Sequence, residues 1–187
     1  METIHTEIEG VVIVEPSVFT DSRGYFFESW SERVFNDQVT PVSFVQDNQS
    51  CSSYGVIRGL HFQYPPYAQA KLVRCVVGKV LDVAIDIRKG SPTYGRHIAV
   101  ELSAENHRQL FIPKGFAHGF AVLSDTAVFQ YKCDAYYAPQ ADGGISIADA
   151  SLGIDWRIDP NRAILSEKDK ARPMLRDFDS PFMYEKK

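Results

Sequence analysis

Cysteine is scarce in this chain: three among 187 residues, Cys51, Cys75 and Cys133, with no CxxC pair. An odd number at wide spacing argues against a disulfide framework or a zinc–thiolate site, and buried free thiols in strands are expected instead. Net positive charge is also lacking. Twenty lysines and arginines stand against 24 aspartates and glutamates, and the resulting −4 gives no general attraction for nucleic acid, so an anionic ligand needs a local basic cluster. No apolar run approaches the roughly 20 residues of a membrane span. The opening METIHTEIEG has no basic region followed by an apolar core, which sets the expectation of a cytoplasmic protein without a secretory signal. There is no His-x-His, and the nine residues after His61 hold neither glutamate nor histidine. Gln63 is a poor ligand for zinc or iron, so no functional metal is expected.

What the chain does have is ordinary globular usage, 44% hydrophobic and 24% charged, which excludes a disordered polymer and fits one domain spanning 1–187. Short runs rich in Val, Ile, Phe and Tyr recur between Gly, Pro, Asn and Asp clusters. They predict strands over 8–15, 42–50, 55–63, 71–77, 79–87, 96–102, 108–112, 117–123 and 126–133. In KVLDVAIDI, Leu81, Val83, Ile85 and Ile87 form an apolar face and Val80, Asp82, Ala84 and Asp86 a mixed one. Gly78 between two runs predicts a tight turn. Helical signals are few: 31–38, with Ser31 as N-cap, and a short turn over 166–171. The class is all-β, a sandwich or jelly-roll barrel, whose mouth can hold a ligand among inward-facing residues.

The run GVIRGLHFQ, residues 55–63, places Arg58 and His61 in what otherwise reads as a buried strand. They have opposite parity. Both can face one pocket only if alternation breaks, and Gly59 between them is where a bulge is tolerated. From this stretch alone the favoured reading is a hydrogen-bonded core histidine and an exposed strand arginine. Other unusual runs are FQYKCDAYY at 129–137, where Phe129, Tyr131 and Cys133 share a face; FIPKGFAHGF at 111–120, which brings in His118; and SEKD at 166–169.

Together these runs resemble the dTDP-4-dehydrorhamnose 3,5-epimerase family, cupin-fold nucleotide-sugar epimerases. The similar pieces are DSRGYFFESW (21–30), FVQDNQSCSSYGVIRGLHFQ (44–63), QAKLVRCVVGKVLDVAIDIRKGSPTYG (69–95), FIPKGFAHGFAVLSD (111–125), YKCDAYYAP (131–139), LGIDW (152–156) and ILSEKD (164–169). The resemblance implies a cupin-type jelly roll with N-terminal strands and a short helical or irregular C-terminal tail. It implies cofactor-free inversion of C3 and C5 beside the C4 ketone of dTDP-4-keto-6-deoxy-D-glucose. That reaction needs a base, an acid on the opposite face, and a group to hold the enolate oxygen.

On this resemblance His61 is the base, Asp169 orients it, Tyr131 is the opposing acid and Lys71 holds the enolate. Arg58 and Lys168 meet the sugar and diphosphate, Arg23 and Glu28 reach the nucleotide, and Gln46, Asp47, Asn48 and His118 line the pocket. Homodimers are implied, with N-terminal strands crossing to complete the partner's site. Three positions depart from the family's usual residues: Asp142, where a glutamate is usual, Gly143, where an arginine is, and Ile147, where a tryptophan is. The alternative readings are a relative that inverts C3 or C5 alone, a silent cupin that merely binds a nucleotide sugar, and a metal-dependent cupin enzyme.

Overall fold

The computed structural model describes residues 1–186. Thirteen strands are formed: β1 Glu2–His5, β2 Val12–Glu15, β3 Phe19–Asp21, β4 Gly24–Phe26, β5 Gln46–Ser53, β6 Ile57–Gln63, β7 Lys71–Val77, β8 Lys79–Asp86, β9 His97–Ser103, β10 Gln109–Ile112, β11 Phe116–Val122, β12 Thr126–Cys133 and β13 Asp142–Gly144. Two short α-helices accompany them, α1 Glu32–Gln38 and α2 Glu167–Lys170. One sheet has the order β1-β2-β10-β7-β12-β5 and the other β13-β6-β11-β8-β9, while β3 and β4 pair only with each other. The pairings within these sheets are antiparallel, which gives the expected all-β sandwich.

Burial divides into three layers. Between the sheets lie Val73, Leu110 and Phe129 from the six-stranded sheet and Val80, Val100 and Phe120 from the other. The outer face of the five-stranded sheet carries Leu81, Val83, Ile85, Ala117 and Ala121, covered by Ile145, Leu152 and Phe182 and flanked by Trp156, Leu175 and Phe178. The outer face of the six-stranded sheet carries Val12, Val14, Leu72 and Phe111 beneath α1, whose Phe35 is buried among Trp30, Phe44 and Phe111 with ring centroids 5.1–6.0 Å apart. Such aromatic clusters add to what area burial alone supplies.

This layering completes some expectations and corrects others. The apolar face of β8 points outward under the C-terminal segment and the mixed face with Asp82 lines the interior, a choice the sequence had left open. A strand covered on both sides cannot announce from alternation alone which side is the barrel. The predicted strand 8–15 is shortened to Val12–Glu15 because Ile8 to Val11 form a turn, with Thr6 Oγ1 accepting from the Ile8 amide and Gly10 at φ +97°. Cys51 is exposed, since β5 places odd-numbered residues on the outer face, whereas Cys75 and Cys133 are buried as expected. Ser31 stands at the N-cap of α1 without a side-chain capping bond. Gly78 makes the expected turn at φ +74°, where a Cβ would lie 2.0 Å from the Thr126 carbonyl oxygen. The strand runs read from the sequence did not include β1, β3, β4 or β13; N-terminal strands came only from the resemblance, without bounds. Among the described residues no helix is long and apolar enough to cross a membrane.

Candidate active site

The site begins with an irregularity in β6. Its pairing with β11 runs Phe120↔Arg58 and then His118↔His61, so two residues of β6, Gly59 and Leu60, oppose Gly119 alone. This is the bulge expected at Gly59. Because 118 and 120 share a face of β11, the extra residue brings Arg58 and His61 onto the same side. Glycine is demanded at both crossing points. Gly59 has φ +149°, a Cβ there would lie 2.6 Å from Gly119 Cα, and a Cβ on Gly119 would lie 2.7 Å from the Arg58 carbonyl oxygen.

A cavity with two connected lobes, about 500 and 320 Å³, opens on this face; His61, Lys71, Tyr131 and Asp142 line both. His61 Nε2 lies 2.5 Å from Asp169 Oδ1, with the imidazole side chain 35% exposed and the carboxylate 5%. A reachable ring backed by a sealed carboxylate suits a base whose protonated form is stabilised from behind. Ser166 fixes that carboxylate's backbone: it N-caps α2, accepting from the Asp169 amide at 3.1 Å. Burial pushes Asp169 up, but His61, Ser166 and Arg172 outweigh it and hold the carboxyl below its ordinary value.

Lys71 and Tyr131 come from β7 and β12, adjacent strands of the opposite sheet, and so face His61 across the cavity. The ammonium lies 5.9 Å from the phenol ring centroid. Burial lowers Lys71 and raises Tyr131 from their ordinary values; nearby Cys133, Asp82 and Asp142 oppose the shift of the lysine, and Arg58 opposes that of the tyrosine. The tyrosine therefore holds its proton at neutral pH. Such a set can take a proton from one face of a bound carbon acid, return one to the other, and hold charge on an oxygen between.

Around this centre are cations and amides. Arg58 is steadied by Ser52, whose Oγ accepts from its Nε at 3.1 Å, and Lys168 Nζ is 2.9 Å from Asp142. Asp142 also pairs with Arg172; burial pushes its carboxyl up, and the two cations pull it below the ordinary value. Gln46 donates to Asn48 at 2.9 Å and accepts from the Tyr137 amide at 3.0 Å, and both amides line the smaller lobe. His118 lines the larger lobe beside His61.

Three expected site residues are not brought to this cavity by their own chain. Asp47 has the parity of the outer face and pairs there with Lys132. Arg23 is at the tip of the β3–β4 hairpin, 88% exposed and paired with Asp21, and Glu28 lines a separate hollow near Phe26 and Trp30. Of the departing positions, Asp142 is in the site. Gly143 is packed so closely that a Cβ would meet the Phe62 ring at 2.4 Å, leaving no room for an arginine there unless Phe62 moves. Ile147 lies away from the cavity, packed in the outer layer. Sequence reading missed Asp82, Arg172 and Ser166. The Ser-x-x-Asp spacing at the start of a helix was the available signal for Ser166; the ion-pair partners are set by tertiary contacts. Among the described residues no group of three His, Cys, Asp or Glu is placed to hold a metal ion.

Comparison with known proteins gives consistent matches. The family model described as dTDP-4-dehydrorhamnose 3,5-epimerase matches residues 5–177. A dTDP-4-dehydrorhamnose 3,5-epimerase of Shigella flexneri is 56% identical over 170 residues, 90% of this chain and 93% of the relative. The crystal structure of a dTDP-6-deoxy-D-glucose-3,5-epimerase from Legionella pneumophila, in complex with dTDP-4-keto-L-rhamnose, has a TM-score of 0.95 at 45% identity, covering 99% of each chain. A 3'-monoepimerase from Streptomyces bikiniensis, in complex with dTDP-quinovose, has a TM-score of 0.86 at 35% identity, covering 91% of this chain and 86% of that one.

Proposed function

The chain belongs to the dTDP-4-dehydrorhamnose 3,5-epimerase family, and on that premise we propose that it converts dTDP-4-keto-6-deoxy-D-glucose to dTDP-4-dehydro-L-rhamnose, inverting C3 and C5 on the route to dTDP-L-rhamnose. The observation that carries the assignment of roles is the convergence of the His61–Asp169 pair, Tyr131 and Lys71 on one cavity from opposite sheets. His61 takes the proton next to the ketone, and Asp169 stabilises the imidazolium that forms. Lys71 holds the charge developing on the C4 oxygen, and Tyr131 protonates the enolate from the far face. Arg58 and Lys168 receive the diphosphate. No step calls for a cofactor or a metal.

The working unit in this reading is a homodimer. The β3–β4 hairpin leaves Phe19, Tyr25 and Phe26 66%, 61% and 70% exposed, apolar surface largely open among the described residues, and carries Arg23. Crossing to a second copy would bury these rings and deliver Arg23 and Glu28 to that copy's nucleotide. A mono-epimerase is the second reading, favoured by the likeness to the Streptomyces bikiniensis protein, although identity to the double epimerases is higher. Incubation with dTDP-4-keto-6-deoxy-D-glucose and a rhamnose-forming reductase, with the trapped product read by NMR, separates them. The L-rhamno product supports double inversion, and a product inverted at one carbon replaces it with the second reading.

A further inference from the structure

One carboxylate that lines both lobes of the cavity is shared by two cations. Through a single oxygen, Asp142 pairs with Lys168 Nζ, at 2.9 Å, and with the Arg172 guanidinium. Burial pushes this carboxyl up and the two cations outweigh it, so it is ionised at neutral pH. The cations differ in their setting. Lys168 is 58% exposed on α2 and lines the larger lobe, whereas Arg172 is 13% exposed and lines neither lobe.

Arg172 is built into the wall behind the site. It lies two residues past α2, and the next residue, Pro173, accepts from the Ser146 amide at 2.8 Å, which ties this segment to the chain just past β13. Its side chain lies on Gly144, the cross-strand partner of His61: a Cβ there would come within 2.7 Å of Arg172 Nε and of the Leu60 carbonyl oxygen. Nε is buried and donates to nothing among the described residues. Buried donors are rarely left so. An arginine that leaves one donor unused is placed here for Asp142, its one side-chain partner among the described residues.

The consequence rests on the reading above, in which Lys168 receives the diphosphate. A phosphate oxygen that takes this ammonium competes with Asp142 for it. Were Lys168 the carboxylate's one counter-ion, the competition would be unfavourable twice over. The lysine would be held more tightly, and its departure would strand a carboxylate whose side chain is 15% exposed. We propose that Arg172 is the permanent counter-ion of Asp142 and so frees Lys168 to exchange that carboxylate for the diphosphate of the substrate. Arg172 is then a positioning residue, acting on the ligand through Asp142 and Lys168 without touching it.

The test is calorimetric binding of dTDP to the native protein, Arg172→Gln, Asp142→Asn and the double variant that carries both substitutions. Arg172→Gln should weaken dTDP by about 10- to 100-fold, the range that follows from leaving a mostly buried charge without a partner. In the Asp142→Asn background no carboxylate is left to strand, and Arg172→Gln should change the affinity by no more than about threefold, the effect of a bare charge at a distance. Calorimetry reports competent sites as the stoichiometry, apart from Kd, so partial unfolding does not imitate the result. An unchanged Kd in Arg172→Gln overturns the proposal, and so does an equal loss in both backgrounds. The native protein also decides without any variant: in a crystal structure with dTDP, Arg172 should still pair with Asp142 while Lys168 Nζ meets a phosphate oxygen, and an Arg172 moved off Asp142 overturns it. Lys168→Gln tests the underlying reading by itself. It should weaken dTDP by about 10-fold or more, and an unchanged affinity there removes Lys168 from the diphosphate and takes the proposal with it.

Discussion

Replacing Asp169 by asparagine removes one charge from behind His61 and very little else. The amide is nearly isosteric, its oxygen can still accept from Nε2 at the 2.5 Å position, and the Ser166 cap bonds the backbone of residue 169, so the ring stays in place. What is lost is the ionic part of a contact whose carboxylate is 5% exposed. A hydrogen bond to a charged group contributes about 1.5–3 kcal/mol. At 1.36 kcal/mol per decade, that predicts a fall in kcat of roughly 10- to 150-fold. KM should stay within about threefold, because the charge matters most when the imidazolium forms. The loss should also be equal at the two carbons. In the chair of a 4-keto-glucose ring the hydrogens on C3 and C5 are both axial on one face, so one base serves both. Proton NMR in heavy water follows the two exchanges separately. A fall at one carbon with the other unchanged would refute the single-base reasoning, as would an unchanged kcat.

Other outcomes follow from the same structure. Tyr131→Phe should retain dTDP binding by calorimetry and lose at least about 100-fold in turnover, the scale of a missing general acid; turnover near the native rate contradicts the role. Gly59→Ala should destabilise the fold by about 3 kcal/mol or more, since it combines a φ reserved for glycine with a 2.6 Å contact to Gly119 Cα, and a denaturant midpoint equal to the native one counts against the bulge. Burial pushes the carboxyls of Asp86, Asp142 and Asp169 up, and their ion pairs and hydrogen bonds reverse this, leaving all three below the ordinary 3.8. The unfolded chain then takes up these protons first as pH falls; the stabilisation is complete above about pH 4–5 and is lost as pH drops through the folded values. Urea midpoints should fall steeply between about pH 4 and 2, and a flat profile there contradicts the ion-pair assignments. If the hairpins exchange between copies, mixing inactive Arg23→Ala with inactive His61→Ala should restore activity through hybrids with one intact site; no recovery after verified subunit exchange rules the crossing out.

The sequence told most where one residue type had to solve a local problem. Arg58 and His61 could share a face only if Gly59 broke the alternation, and the register shift opposite Gly119 is that break. The strands at 71–77 and 126–133 were legible to the residue because their outer faces stay partly open while Val73, Cys75, Phe129 and Cys133 turn into the interior. Alternation failed on β8, where both faces are buried, so the interior position of Asp82 was hidden until the C-terminal segment was seen over Leu81, Val83 and Ile85. Arg172 could not be paired with Asp142 from sequence, since 30 residues of chain separate them. Phe19, Tyr25 and Phe26 had no reading of their own beyond the family likeness, because a short exposed hairpin buries no alternating face that a sequence pattern could announce.

The central claim is that one histidine, His61, removes the protons from both carbons. It is tested most directly by incubating the native protein and His61→Ala with dTDP-4-keto-6-deoxy-D-glucose in heavy water and reading deuterium at C3 and C5, with dTDP binding measured on the same samples. The account predicts label at both carbons with the native protein and at neither with the variant, while dTDP binding persists. Label at either carbon at a comparable rate in the variant would contradict it.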